Sequence, residues 1–355
     1  ILNGTRRFAQ QAALDVTFAT LKTILMLAAV VATGSVAWTF GGFSAAALLI
    51  LIVAFWVARL RPEDRQGSGA ATTGRYLAFL APLALYALVL NLLLQADVIL
   101  LKALLGRGLS AEGASRAAGL FGAAKNLALL PYQAVIALSF VVFPLVSLAT
   151  SRADDEGARR TVGGAMRLAA MLSGAAVVVL ASAPEGWLRT LYGDPYADVA
   201  PSLLPLMAGV CMLSLMHVGS AILASAGRPS WSLLGSVAGL LVQACLLVWR
   251  IPMAQDVATA TMDASLATLA GCAVGAMITL WMLGRVFDHA AWVRPVMAAL
   301  FSVTVALALT WLPRNHLGWG WLPALALLQY GALLVVTRVV DRKDLSMIRR
   351  VLTRR

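Results

Sequence analysis

The sequence predicts an all-α polytopic membrane protein of about ten transmembrane helices, and two observations carry that expectation. Hydrophobic residues make up 61% of the 355 positions and charged residues only 12%, roughly half the charged share of an ordinary soluble domain, with a mean hydropathy of +0.84. The apolar residues also come in long continuous runs rather than in alternation. About 20 such residues in a helix cross a hydrocarbon core of roughly 30 Å. Backbone groups must pair internally there, so continuous runs fold as helices, whereas a barrel would show period-two alternation.

In chain order the spans fall at 12–33, 41–58, 76–105, 119–149, 162–183, 201–226, 230–250, 264–287, 293–313 and 320–340. The first carries Asp15 and Lys22 on one face. Lys22 lies about 15 Å into this span at 1.5 Å per residue. Seven residues is too far for a local ion pair, so Lys22 calls for a partner elsewhere or an anionic ligand. Gly41-Gly42 marks the turn into the second span.

The third span places Asn91, Gln95 and Lys102 within about 40° of one another on a helical wheel, a single polar stripe, with Asp97 about 120° from Asn91. Amides in a stripe serve either as interhelical hydrogen-bond partners or as ligand contacts, and Lys102 either snorkels to headgroups or binds an anion. Asp97 is too short to snorkel, so it needs a buried cation or a proton. In the fourth span Lys125, Tyr132 and Ser139 share one face at heptad spacing, Asn126 and Gln133 share the adjacent one, and Pro131 and Pro144 interrupt the helix. Lys125 is either a snorkelling side chain or a cationic ligand in a cavity. His217 in the sixth span and Gln243 in the seventh read as hydrogen-bonded structure.

The basic residues choose the orientation. With the N-terminus on one side and strict alternation, 20 of the 28 Lys and Arg fall on that side and 6 on the other, leaving Lys22 and Lys125 within the membrane. The positive-inside rule makes the richer side cytoplasmic, with both termini inside. The formal net charge of +12 therefore addresses anionic lipid headgroups rather than nucleic acid. Residues 184–201, with Trp187, Tyr192 and Tyr196, suit an outer interfacial segment. Cys211, Cys245 and Cys272 all lie in spans, with neither metal spacing nor a disulfide framework. No stretch resembles a cleavable signal peptide. The chain opens on Ile1 rather than Met, directly in a basic amphipathic stretch, which reads as a fragment or a processed chain. No motif for covalent chemistry is present, neither HExxH, GxSxG nor a P-loop. The expectation is a transporter, not an enzyme, with no cofactor and no metal.

Ordered motifs narrow this further: LNGTRRF at 2–8, ADVILLKALLG at 96–106, AAGLFGAAKNLALLP at 117–131, VVFPLVS at 141–147, LYGDPYADVAPSLLPL at 191–206 and ASAGRPSW at 224–231. In this order and spacing the chain resembles the polysaccharide and lipid-linked oligosaccharide flippases of the multidrug/oligosaccharidyl-lipid/polysaccharide (MOP) exporter superfamily. Phe121 stands where those proteins usually have Tyr.

The resemblance implies a MATE-like bundle of two six-helix lobes, here with an incomplete N-lobe. Residues 1–58 would be its last two helices, 59–75 a cytoplasmic lobe linker, 76–287 the six-helix C-lobe, and 288–355 two extra helices and a basic tail. It also implies alternating access that carries an undecaprenyl-pyrophosphate-linked oligosaccharide across the cytoplasmic (inner) membrane for polysaccharide or O-antigen export. Cations would hold pyrophosphate and polar groups the sugar hydroxyls. The candidate substrate contacts are Lys22, Asn91, Gln95, Lys102, Lys125, Asn126 and Gln133, and Asp97 is the candidate ion-coupling residue or buried pair. The expected partners are the lipid-linked oligosaccharide, membrane lipids, and a glycan polymerase with its chain-length machinery. A multidrug-type cation antiporter would want several cavity carboxylates where this chain offers Asp97 among several lysines, and a lipid II flippase stays open as an alternative. A membrane glycan polymerase would carry a large polar outer loop, whereas the longest here is about 18 residues, mostly apolar and aromatic.

Overall fold

The computed structural model describes residues 8–57, 73–106, 110–152, 154–289, 292–312 and 318–340. Most of the expected linker 59–75, the basic tail from 341 and nearly all of the motif at 2–8 lie outside them. Every regular element among the described residues is a helix, with no strand. Among the described residues, nine helical segments are long and apolar enough to cross a membrane, and Leu322–Val336 is a shorter apolar helix. The chain divides into two compact units, 1–76 and 77–355.

The first unit is a helical hairpin of α1 (Phe8–Thr33) and α2 (Thr39–Val57). The turn comes earlier than Gly41-Gly42. Gly34 takes a left-handed φ of +65°, and Ser35 then caps a short 3-10 turn, its hydroxyl accepting from the Ala37 amide at 3.4 Å. Gly42 instead lies inside α2, where a Cβ would sit 2.5 Å from the Leu25 carbonyl oxygen and 2.9 Å from Met26 Cα. The glycine is a packing residue that lets two backbones approach. Lys22 falls at the middle of the apolar segment Ala12–Thr33, half-buried, its ammonium 5.9 Å from the Phe18 ring centroid.

The second unit begins with α3 (Thr73–Leu105), followed by α4 (Ala111–Ala128) and α5 (Leu130–Ser151). The expected fourth span is therefore two helices meeting at Leu129. Pro131 cannot donate to the ladder and crowds the preceding turn, which bends the chain there. Leu129 still bonds back to the Lys125 carbonyl at 2.9 Å, so the helical phase survives the bend. The buried residues Lys125, Tyr132 and Ser139 keep one face across it, and the exposed Asn126 and Gln133 keep the adjacent one.

Next come α6 (Asp155–Ala181), the short α7 (Pro184–Tyr192), α8 (Ala200–Ser225), α9 (Pro229–Arg250) and α10 (Val257–Val286), then α11 (Val293–Trp311) and α12 (Leu322–Val336). The segment expected as an outer loop holds α7 and a 3-10 turn, tied to α6 by the Trp187 indole donating to the Val179 carbonyl at 3.1 Å. The eighth span begins at 257 rather than 264, because Asp256 and Thr259 form a capping box that starts α10 early. Between α8 and α9, Gly227 at φ +79° and the Arg228 amide returning to the Leu223 carbonyl at 3.0 Å make a Schellman stop, and Pro229 opens the next helix.

Helix α8 is the centre of this unit, touched by α4, α5, α6, α9 and α10, and it is buried along most of its length. Two GxxxG segments, Gly235–Gly239 on α9 and Gly271–Gly275 on α10, bring those helices into backbone contact: a Cβ on Gly239 or on Gly271 would stand 2.7 Å from the other residue's carbonyl oxygen. Apolar side chains gain little by leaving lipid for one another, so close packing of small residues carries such interfaces. Helices α11 and α12 lie on α6, where the buried Tyr330 donates to the Met171 carbonyl at 3.3 Å.

Candidate functional site

The interior of the second unit contains an ion pair. Asp97 of α3 is fully buried and Lys125 of α4 is 5% exposed. The Lys125 ammonium donates to Asp97 Oδ1 and to the Leu94 carbonyl oxygen. Asp97 Oδ1 also accepts from the Val98 amide at 2.7 Å, and Oδ2 accepts from the Thr268 hydroxyl of α10 at 2.9 Å. Thr268 in turn accepts from Gln243 Nε2 of α9 at 3.2 Å. The carboxylate thus has a cation and two further donors, the arrangement that makes a buried charge tolerable. Lys125 stands in the last turn of α4, where the helix dipole favours a cation. Gln243 Oε1 is buried without a partner among the described residues.

A second polar cluster lies along the same helices. Tyr86 of α3 is eleven residues from Asp97, and Tyr132 of α5 is seven from Lys125, both near-integral numbers of helical turns. Their hydroxyls meet His217 Nδ1 of α8, at 3.4 Å from Tyr86 and 3.2 Å from Tyr132. The Tyr132 and His217 rings pack edge to face at 5.4 Å. The buried Cys272 of α10 lies within electrostatic reach of Asp97, Lys125 and Tyr132.

The structure thus brings Asp97 and Lys125 together and leaves the remaining candidates elsewhere. Asn91, Gln95, Lys102, Asn126 and Gln133 all face outward from the unit, and Asn91 bonds only its own helix, to the Ala87 carbonyl at 2.8 Å. Lys125, a candidate substrate cation and also a candidate partner for Asp97, has its ammonium held inside the unit by Asp97 and the Leu94 carbonyl. Tyr86 and Thr268 were not singled out by sequence. The eleven-residue spacing of Tyr86 and Asp97 was a legible signal, whereas nothing local marks Thr268. No group of three or more metal-ligating side chains occurs among the described residues.

A bundle of apolar helices with a neutralised charge pair and a tyrosine–histidine cluster inside it is that of a multi-pass membrane protein, and its fold is similar to that of one solved flippase. The lipid II flippase MurJ, in an inward closed conformation, matches with a TM-score of 0.63 over 92% of this chain and 67% of that one, at 12% identity. A MOP-superfamily transporter from Pyrococcus furiosus matches at a TM-score of 0.48 and 15% identity, over 74% of this chain and 64% of that one. No curated protein matches by sequence. The chain belongs to the family described as polysaccharide biosynthesis protein, whose model matches residues 2–201.

Proposed function

We propose that the chain translocates an undecaprenyl-pyrophosphate-linked oligosaccharide across the cytoplasmic membrane by alternating access, with both termini cytoplasmic, and delivers it to a glycan polymerase. Residues 1–58 then act as the end of a first lobe, 59–75 as the lobe linker, 76–287 as the second lobe and 288–355 as an additional pair of helices with a basic tail. One observation carries the choice of substrate. Asp97 is already neutralised by Lys125, while the polar side chains that α3, α4 and α5 expose include the uncharged amides Asn91, Gln95, Asn126 and Gln133 and the cations Lys102 and Arg116, with the carboxylate Glu112 confined to the first turn of α4. Amides suit sugar hydroxyls, and lysine suits pyrophosphate. A multidrug cation antiporter needs a carboxylate open to its cation, and in this unit the carboxylate at depth is spoken for.

In this reading Lys102 is the second unit's cation for pyrophosphate, the four amides contact sugar, and the Asp97–Lys125 pair keeps α3 and α4 moving as one body. The likeness to a lipid II flippase rests on fold alone and leaves the glycan to be chosen by those contacts.

The test is reconstitution of the chain in liposomes with an undecaprenyl-pyrophosphate-linked oligosaccharide labelled on the sugar. Translocation should protect the label from an external glycosidase, and Gln95→Ala with Gln133→Ala should slow it at normal abundance. A chain that leaves the glycan accessible but extrudes a lipophilic cation dye refutes the proposal.

A further inference from the structure

Three helix ends that are remote in sequence meet at one end of the second unit: the N-terminus of α6, the N-terminus of α11 and the C-terminus of α12. They enclose a cavity of about 740 Å³. Its wall carries Arg159, Arg160 and Arg167 from α6, Arg294 from α11, and Arg338 just past α12. Two carboxylates share it. Glu156 is taken by Arg160 one turn along the helix at 3.0 Å, and Asp288 faces Arg159 at 3.6 Å. Among the described residues, five guanidinium groups and two carboxylates thus share one concavity.

The backbone around the cavity is shaped for an occupant. Gly163 and Gly164 line it between Arg160 and Arg167, and a Cβ on Gly164 would meet nothing within 4 Å. The α6 surface is thus left bare where an occupant would lie. Arg167 donates to the Val339 carbonyl at 3.3 Å, which ties the chain after α12 to the cavity wall. Arg338 is the non-glycine residue with positive φ among the described residues, at +56°. A helix stop of this hand is ordinarily glycine, so the arginine side chain stands there against the backbone preference. The N-terminus of α11 has no side-chain cap and adds its positive dipole end. Pro295, Ala298 and Val339 supply an apolar margin.

Because these are the ends of apolar helices, the cavity lies where hydrocarbon gives way to headgroups. Its basic residues belong to the side that the positive-inside rule makes cytoplasmic. We propose that this cavity binds the headgroup of an anionic phospholipid, best a doubly charged one such as diphosphatidylglycerol: the arginines take the phosphates by paired N–H donors, and the apolar margin takes the glycerol and upper acyl carbons.

The experiment measures binding of diphosphatidylglycerol to the full chain in phosphatidylcholine nanodiscs, with inorganic phosphate as a competitor. The test variant is R294Q with R338G. Glycine at 338 relieves the left-handed backbone, so the fold should tolerate it. Loss of two arginines near the surface corresponds to a roughly 30-fold weaker lipid affinity. R228Q is the control, because Arg228 lies over Trp231 at 4.5 Å outside the cavity, and it should leave the affinity unchanged. An unchanged affinity in the R294Q/R338G variant overturns the proposal. So does an equal loss in R228Q, which would mark general charge attraction, or displacement of all bound lipid by millimolar inorganic phosphate, which would mark a free-phosphate site. Lipid binding is read without any transport, so either result leaves the transport reading standing or falling on its own test.

Discussion

Removing one member of the Asp97–Lys125 pair should destabilise the second unit severely, and removing both should not. With Asp97→Asn, the Lys125 ammonium keeps the Leu94 carbonyl but loses its counter-charge at a site 5% exposed. With Lys125→Met, the Asp97 carboxylate keeps the Val98 amide and the Thr268 hydroxyl but has no cation. Breaking a buried pair from one side costs about 3–5 kcal/mol, whereas replacing both charges by neutral groups of similar shape is often close to neutral. At about 2–4 °C per kcal/mol, each single variant should lower the apparent Tm by roughly 6–20 °C, and the Asp97→Asn/Lys125→Met double variant should regain most of that loss. Charge reversal should fail to rescue, because Val98 N–H and Thr268 O–H point at residue 97 and an ammonium there cannot accept from them. The assay is the fraction of detergent-solubilised protein that stays monodisperse on size exclusion after a heating series. A single variant at the wild-type Tm, or a double variant no better than the worse single, refutes the account of the pair as structural cement.

Three further outcomes are expected. Gly239→Ala should cost about 1–3 kcal/mol through overpacking against the Gly271 carbonyl, while Gly331→Ala, where a Cβ meets nothing within 4 Å, should be neutral or better; thermal survival of the two variants checks this. The Asp256 carboxyl is held below its ordinary 3.8, first by the Thr259 side chain and then by the Thr259 amide. Its cap therefore contributes fully above 3.8 and is lost as pH falls through the lowered folded value, so hydrogen exchange in the first turn of α10 should rise in that acid window, and Asp256→Asn should flatten the response. A cysteine at position 68 in a cysteine-free background should resist membrane-impermeant labelling of intact cells and react once they are opened, as the basic asymmetry requires.

Helix after helix was legible because the bilayer makes helix formation a local matter: an apolar run that cannot hydrogen-bond to lipid must satisfy its own backbone, whatever its neighbours are. Spans six, seven and nine of the sequence reading agree with α8, α9 and α11 to within two residues at each end. The misplacements occur where a specific hydrogen bond or ring overrides hydropathy. Gly34 and Ser35 moved the first turn, Pro131 divided the fourth span, and the Asp256 capping box began the eighth early. Which residues share a face was also legible, since a helix fixes that by its period, but the period did not say which face is inward: Lys125 and Tyr132 are buried, Asn126 and Gln133 exposed.

What the sequence by itself could not decide is which inward groups meet. Asp97 meets Thr268 across 171 residues, and His217 meets Tyr86 across 131. Nothing in the hydropathy of α3 distinguishes α4 from any other neighbour. That choice was made by packing. The GxxxG faces of α9 and α10 close to backbone contact, α8 fills the centre, and α3 meets α4 through the Asp97–Lys125 pair. Interhelical association in lipid depends on shape and on unsatisfied polar groups rather than on hydrophobicity, and shape exists only once the helices are side by side.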